Sequence, residues 1–335
     1  MAFTGRMRYM EGFVTVSPKR ISKIGLGTWQ FGSGQWGYGS RYADNDAALI
    51  VRRALELGIT LFDSAEVYGL GRSERILGAA LAAVPGGLDR AYVATKLLPI
   101  VPVGPVVEQG AVASAHRLGV RHLDLYQVHQ PNPAIRDRWT MRGMASLQAV
   151  GLVGDVGVSN YPLARWQEAD AALGAPVLSN QVEYSLARPR RAAALLDFAA
   201  RESRIIIAWS PLAQGLLAGH YDVTNRPSGR VRAANTLFGT ENLARATPLL
   251  DVLREVAAAH GASPAQIALA WAIHHPQVVA IPGASGVAQV ESNAAAADLD
   301  LAADEYAALS AAADRFTPLA GPQALAALAA ERLRR

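Results

Sequence analysis

A chain of 335 residues, 51% hydrophobic and 18% charged, holds enough material for one large or two small domains with an ample core. It has no cysteine, which excludes disulfides, iron–sulfur clusters and thiolate zinc sites, and no metal-ligand set is assigned. The net charge of +4 is scattered over "RMR" near the start, "RPRR" at 188–191 and "ERLRR" at the end. A solvated surface is therefore expected, with no nucleic-acid face. The opening "MAFTGRMRYM" lacks an apolar export core, and no later run has membrane length, so a soluble, cytoplasmic protein is the expectation. Of the 32 basic residues only Lys19, Lys23 and Lys96 are lysines. In an arginine-rich chain, a retained lysine hints at a task guanidinium cannot perform, such as titrating near neutrality when desolvated.

Residues 11–23, "EGFVTVSPKRISK", alternate like a hairpin around Ser17-Pro18. Short apolar runs then predict strands at Ile24–Gly27, Ile59–Asp63, Ala91–Lys96, Leu123–His129, Val153–Ser159, Val177–Gln181, Ile205–Trp209 and Val278–Pro282. Helices are predicted at 46–57, 72–84, 105–118, 140–150, 162–173, 188–202, 247–260, 263–274 and 286–297, with start signals such as Asp44 and Ser263-Pro264. Residues 213–246 exceed ordinary loop length and read as a lid or a disordered segment. Residues 301–335 read as an alanine-rich helix and tail.

Near-continuous apolar strands alternating with helices mean a parallel sheet covered on both faces. Eight such units match a closed (β/α)8 barrel, spanning 24–299 of a single domain over 1–335. A doubly wound sheet would show a Gly-rich phosphate loop in the first turn, and "GLGTWQFGSGQWGYG" is a poor match to it.

In a barrel the C-terminal strand ends converge on one face. Those ends carry Gly27-Thr28-Trp29, Asp63 with Tyr68 beyond, Lys96, His129, Ser159-Asn160, Gln181, Trp209-Ser210 and Gly283–Ser285. Period-two alternation places Leu123, Leu125, Gln127 and His129 on one face of their strand, and Ile59, Leu61 and Asp63 on one face of theirs. Each polar residue alone has a bland reading as a loop cap, a snorkelling lysine or a satisfied imidazole. Their succession at neighbouring strand ends makes a constellation. The other six histidines fall on helical, loop or strand-start positions.

The blocks "GLGTW", "FDSAEVYGLGRSERILGAAL", "ATK", "LDLYQVHQP", "GVSNY", "NQVEYSL", "WSPLAQGLLAG" and "IPGAS" occur in the order and spacing of the aldo-keto reductase family. The chain resembles that family from about residue 21 to 315, and in particular a bacterial branch related to potassium-channel β subunits. The resemblance implies a catalytic tetrad of Asp63, Tyr68, Lys96 and His129. Carbonyl reduction needs a proton for the developing alkoxide, and a free tyrosine titrates near ~10. An adjacent ammonium on Lys96, held by Asp63, would lower that value, while His129 polarises the carbonyl through a ring N–H.

The resemblance also implies cofactor contacts. Trp209 would stack on the nicotinamide, and Ser159, Asn160 and Gln181 would bind its carboxamide. Gly27, Thr28, Trp29, Asp63, Ser210, Pro211, Leu212, Gln214, Gly283, Ser285, Gln289 and Asn293 would complete the site. The segment "GASGVAQVESN" has no cation for a 2′-phosphate, so Arg230 or Arg232 of the 213–246 lid is expected to supply one. NADP(H) is the expected cofactor, with NAD(H) the alternative. Trp29, Phe31, Trp36, Tyr68 and His129 are the expected lining of an aromatic pocket for a small-molecule carbonyl substrate, with Tyr38 and Trp139 as further aromatic candidates. Two other functions stay open: a slow-turnover, cofactor-binding redox-sensing subunit, and a Schiff-base enzyme with Lys96 as nucleophile.

Overall fold

The computed structural model describes residues 12–14, 20–40, 43–227 and 230–333. The chain begins with an antiparallel pair, β1 (Phe13–Val14) and β2 (Ile21–Ser22). The turn predicted at Ser17-Pro18 lies outside the described residues. Eight further strands follow: β3 (Leu26–Gly27), β4 (Leu61–Asp63), β5 (Tyr92–Leu97), β6 (Leu123–Val128), β7 (Val153–Ser159), β8 (Ser179–Glu183), β9 (Ile205–Trp209) and β10 (Val278–Ala280). They pair in chain order, each parallel to the next. Parallel bridges Ile24–Ala280 and Gly27–Gly283 join the first strand to the last and close the barrel. Gly27 permits that seam, because a Cβ there would meet the Ile281 carbonyl oxygen at 2.7 Å.

The helices are α1 (Asp44–Glu56), α2 (Arg72–Ala82), α3 (Gly87–Arg90), α4 (Gly104–Leu118), α5 (Asp137–Ala149), α6 (Leu163–Leu173), α7 (Ala193–Arg201), α8 (Arg230–Ala234), α9 (Thr240–Ala259), α10 (Pro264–Ile273), α11 (Val287–Ala295), α12 (Ala303–Arg315) and α13 (Gly321–Leu333). Ser263 starts α10 with a reciprocal cap: its hydroxyl accepts from the Gln266 amide, and the Gln266 side chain accepts from the Ser263 amide. Helix α9 begins seven residues before the predicted start and runs through Pro248. It thus takes up the end of the 213–246 connection, whose remainder contains α8 and 3-10 turns at Ala213–Ala218 and Thr236–Phe238. The C-terminal segment is two helices rather than one, separated around Pro318 and Gly321, the latter at φ +61°. Helix α7 is preceded by a 3-10 turn at Pro189–Arg191, and α3 has no counterpart in the sequence pattern.

Two cores follow from strand alternation. Side chains on the outer face of the sheet pack against the helices, as Phe62, Val93, Tyr126, Val156 and Ile206 do. Those on the inner face, including Leu61, Tyr92, Leu125, Ile205, Ile207 and Val279, fill the barrel. Val14 and Ile21 from the β1–β2 pair join this inner cluster and stopper the barrel's N-terminal end. Helices α2 and α4 approach so closely that a Cβ on Gly78 would stand 2.1 Å from the Leu118 carbonyl oxygen. The contact is backbone and cannot rotate away. Gly78→Ala is therefore expected to destabilise by about 1–3 kcal/mol through overpacking, read as a lowered midpoint in thermal unfolding.

Candidate active site

In several strands the inner-face series ends in a polar side chain or an indole at its C-terminal end. Leu61 is followed two residues on by Asp63, Ala94 by Lys96, Leu125 by Gln127, Ser179 by Gln181, and Ile207 by Trp209. The alternation that fills the barrel thus delivers the polar side chains into one chamber.

At its centre lies a buried ion pair. Lys96 Nζ is 2.6 Å from Asp63 Oδ1, with both side chains sealed from solvent. The ammonium also donates to the Ser64 carbonyl at 2.7 Å and to the Tyr68 hydroxyl at 3.3 Å, so all three of its N–H groups are engaged. Asp63 Oδ2 accepts from the amide nitrogens of Gln181 at 2.7 Å and Gln127 at 3.3 Å. Burial pulls the Lys96 amine down, but the charge of Asp63, the Tyr68 oxygen and their hydrogen bonds outweigh it, and its pKa lies above the ordinary lysine value. The expectation that this lysine titrates near neutrality does not hold. That property belongs to Lys23 at the opposite end of the barrel, which burial lowers to about 8 while its Nζ donates to the Ile273 and His275 carbonyls.

Tyr68 also departs from expectation. Burial raises its pKa, Lys96 opposes that, Asp63 adds to it, and the net direction is upward. The lowering expected from Lys96 is present but smaller than the cost of an anion in this chamber. The His129 ring meets Tyr68 edge to face, with centroids 5.8 Å apart. Burial and, secondarily, Lys96 push the imidazole pKa down to about 3, so it is neutral at physiological pH. Its Nδ1 is buried without a partner.

Around the tetrad, Trp29 lies 6.2 Å from the Tyr68 ring and 5.1 Å from Trp36. Trp29 and Trp139 are exposed. Phe31, expected in the pocket, is instead fully buried in the outer core, and Tyr38 is buried and donates to Asp44. Thr28 is likewise sealed: its hydroxyl donates to the Asp63 carbonyl at 2.9 Å and is 2.8 Å from Ser73 Oγ, so it braces the site.

Ser159, Asn160 and Trp209 form a chain. Trp209 Nε1 donates to Asn160 Oδ1 at 3.3 Å, Asn160 Nδ2 to Ser159 Oγ at 3.0 Å, and Ser159 Oγ to the Gln181 carbonyl at 2.9 Å. Asn160 holds a left-handed backbone at φ 60°. The loop after β9 puts Ser210, Ala213 and Gln214 in the same region, with Pro211 buried and Leu212 partly so. Arg232 of α8 docks on that loop: its Nε donates to the Gln214 carbonyl at 2.7 Å, and the guanidinium lies 5.4 Å from the Trp36 ring centroid. Arg230 opens α8, and its side chain lies outside the described part. Beyond β10, Ser285 N and Oγ both bond Gln289 Oε1, at 2.8 and 3.2 Å, and Asn293 Nδ2 is 3.5 Å from the Gly283 carbonyl. Ser285 precedes α11 and Gln289 lies in its first turn, while Asn293 sits near its C-terminal end.

Gln127 shares the His129 face of its strand, and spacing alone assigns it no role. The available signal was an amide interrupting the apolar series Leu123, Leu125.

The family model described as the aldo/keto reductase family matches residues 23–314. An uncharacterised oxidoreductase of Mycobacterium tuberculosis is 55% identical, over 94% of this chain and 97% of that protein. A methylglyoxal reductase of Escherichia coli is 33% identical, over 87% and 91%. A solved aldo-keto reductase from Klebsiella pneumoniae in complex with NADPH superposes with a TM-score of 0.69 at 29% identity, over 90% of this chain and 93% of that one. Together, the closed parallel barrel, the match over most of the chain and these relatives place this protein in the aldo-keto reductase family.

Proposed function

We propose that the protein reduces an aldehyde or ketone to the alcohol with NADPH, Tyr68 acting as the general acid. The observation that carries this reading is the buried Lys96 ammonium, held by Asp63 and in contact with the Tyr68 hydroxyl.

The donor set suits a nicotinamide dinucleotide. Asn160 and Gln181 offer amides to a carboxamide, Trp209 offers an indole face, and the first residues of α11 offer backbone N–H groups to an anion. When bound, that cofactor supplies the hydride. The protein's own groups manage the oxygen. A His129 ring N–H donates to the carbonyl oxygen and polarises it. The Tyr68 hydroxyl delivers the proton as negative charge develops, and Lys96 stabilises the phenolate left behind. Asp63 keeps the ammonium in place.

A Schiff-base role for Lys96 is opposed by the same geometry. An imine-forming lysine must present a free, neutral amine, whereas here three acceptors hold the ammonium, and Asp63 and Tyr68 raise its pKa against the effect of burial. The redox-sensing alternative rests on the sequence resemblance. Cofactor binding without turnover of a broad carbonyl panel would favour it over a working reductase.

For the phosphate end we propose NADP(H), with Arg232, and Arg230 beside it in sequence, serving the 2′-phosphate from the lid. Support comes from Arg232 being docked on Gln214, and from the lack of any lysine or arginine in Gly283–Asn293. The substrate is a small-molecule carbonyl compound, and a cytoplasmic location is part of the proposal.

Tyr68→Phe is expected to reduce turnover by about 10²–10⁴-fold while leaving NADPH affinity, measured by fluorescence quenching, nearly unchanged. In the unmodified protein, kcat/KM for reduction should stay flat between about pH 5 and 9 and fall only at higher pH, because the donor titrates above the ordinary tyrosine value of ~10 and His129 is already neutral. An acid limb near pH ~6.5 would remove His129 from its neutral role. Replacing Arg230 and Arg232 by alanine should weaken NADPH by an order of magnitude or more and NADH little. Equal losses for both would show that the lid does not read the 2′-phosphate.

A further inference from the structure

Gln127 is a fully buried primary amide where the strand pattern asks for an apolar side chain. Burying an amide is costly unless its donors and acceptor are paired. Here the pairing is specific: Gln127 Nε2 donates to Asp63 Oδ2 at 3.3 Å, and Gln127 Oε1 accepts from Gln181 Nε2 at 3.4 Å. Gln181 Nε2 also donates to Asp63 Oδ2 at 2.7 Å. The space for this amide is built in from the neighbouring strand. Gly157 is paired in register with Gln127, and a Cβ on it would meet Gln127 Cγ at 2.9 Å and Ser179 Oγ at 2.3 Å.

The accounting of donors fixes the arrangement. A carboxylate paired with an ammonium offers only acceptors, so both glutamines must turn nitrogen toward Asp63. Gln181 then spends both of its N–H groups inward, one on Asp63 and one on the Gln127 carbonyl. Its own oxygen is left as the group that faces outward.

We propose that Gln127 is a positioning residue for the reductase chemistry: with Gln181 it clamps Asp63 Oδ2, which aims Oδ1 at Lys96, and it holds the Gln181 amide with its carbonyl directed at the cofactor. Gln127 touches neither substrate nor cofactor. It acts through Asp63 and Gln181, and the assignment rests on the reductase reading above.

Two variants test it. Gln127→Met keeps the length and removes both hydrogen bonds. It is expected to lower kcat about tenfold at every pH, the order of effect of one lost buried hydrogen bond, and to weaken NADPH several-fold by fluorescence quenching. Gln127→Glu sets a second carboxyl against Asp63, and such a pair shares one proton when the pH is low enough. While that proton is shared, one carboxyl oxygen donates to Asp63 and the other accepts from Gln181, so activity and NADPH affinity should approach the wild type. As the pair loses its proton, both should fall, giving an inflection in the acid-to-neutral range that the wild type lacks. A packing role alone would leave the near-isosteric Gln127→Met close to the wild type, so the loss in the methionine variant together with the recovery in the protonated glutamate variant marks the hydrogen bonds. The assignment is overturned if Gln127→Met keeps kcat and NADPH affinity within twofold, or if the Gln127→Glu profile superimposes on that of the wild type. Should the methionine variant not fold, the glutamate profile decides by itself. The wild type is the internal control: failure to oxidise NADPH with any carbonyl would sink the reductase reading, whereas wild-type turnover with unaltered variants would sink only the role of Gln127.

Discussion

The site depends on one ion pair kept away from water. Taking a carboxylate and an ammonium out of solvent costs several kcal/mol per ion, a penalty returned only with close geometry and further hydrogen bonds. Asp63 and Lys96 meet at 2.6 Å, and the rest of the chamber completes their valences: the Ser64 carbonyl and Tyr68 on the amine, two glutamine amides on the carboxylate. Around them the backbone is tied down in turn. Thr28, Ser64 and Ser73 form a buried hydroxyl cluster that holds the Asp63 and Thr28 carbonyls. On the next helix Glu74 is sealed and bonds Thr95 and Arg117. Polar satisfaction thus extends outward from the pair to the helical layer.

That construction explains why the tyrosine and the histidine behave as they do. The desolvation that makes the ion pair strong also resists any second charge nearby. Tyr68 stays protonated and His129 stays neutral, which leaves a single cation beside a single reactive phenol. The phenol is a reluctant acid at rest. In the proposed reduction its proton would leave as a more basic nascent alkoxide forms within reach.

The barrel and its strand ends were legible because they rest on periodicity. Parallel strands buried on both faces read as apolar runs, and continuing each run to its last inward position gives Asp63, Lys96 and Gln181. Boundaries were less legible where local signals compete. Pro248 looks like a helix start yet stands inside α9, and α12 and α13 share one alanine-rich composition across a break that Pro318 and Gly321 impose. Among the aromatic residues, sequence did not separate pocket from core. Phe31 and Trp29 are two residues apart, and only the closed structure shows one sealed and the other at the mouth. Burial energetics were the least legible. The sign of the Tyr68 shift depends on how far the hydroxyl is removed from water, which no spacing of residues reveals.

The small antiparallel pair at the start of the chain carries a kinetic implication. With Val14 and Ile21 packed into the inner cluster, the described residues cover this end of the barrel, and the polar strand ends face the opposite rim. On the proposed reductase reading, cofactor and substrate would share that rim, and the one seated against Trp209 would have to enter before, and leave after, the one beside Trp29.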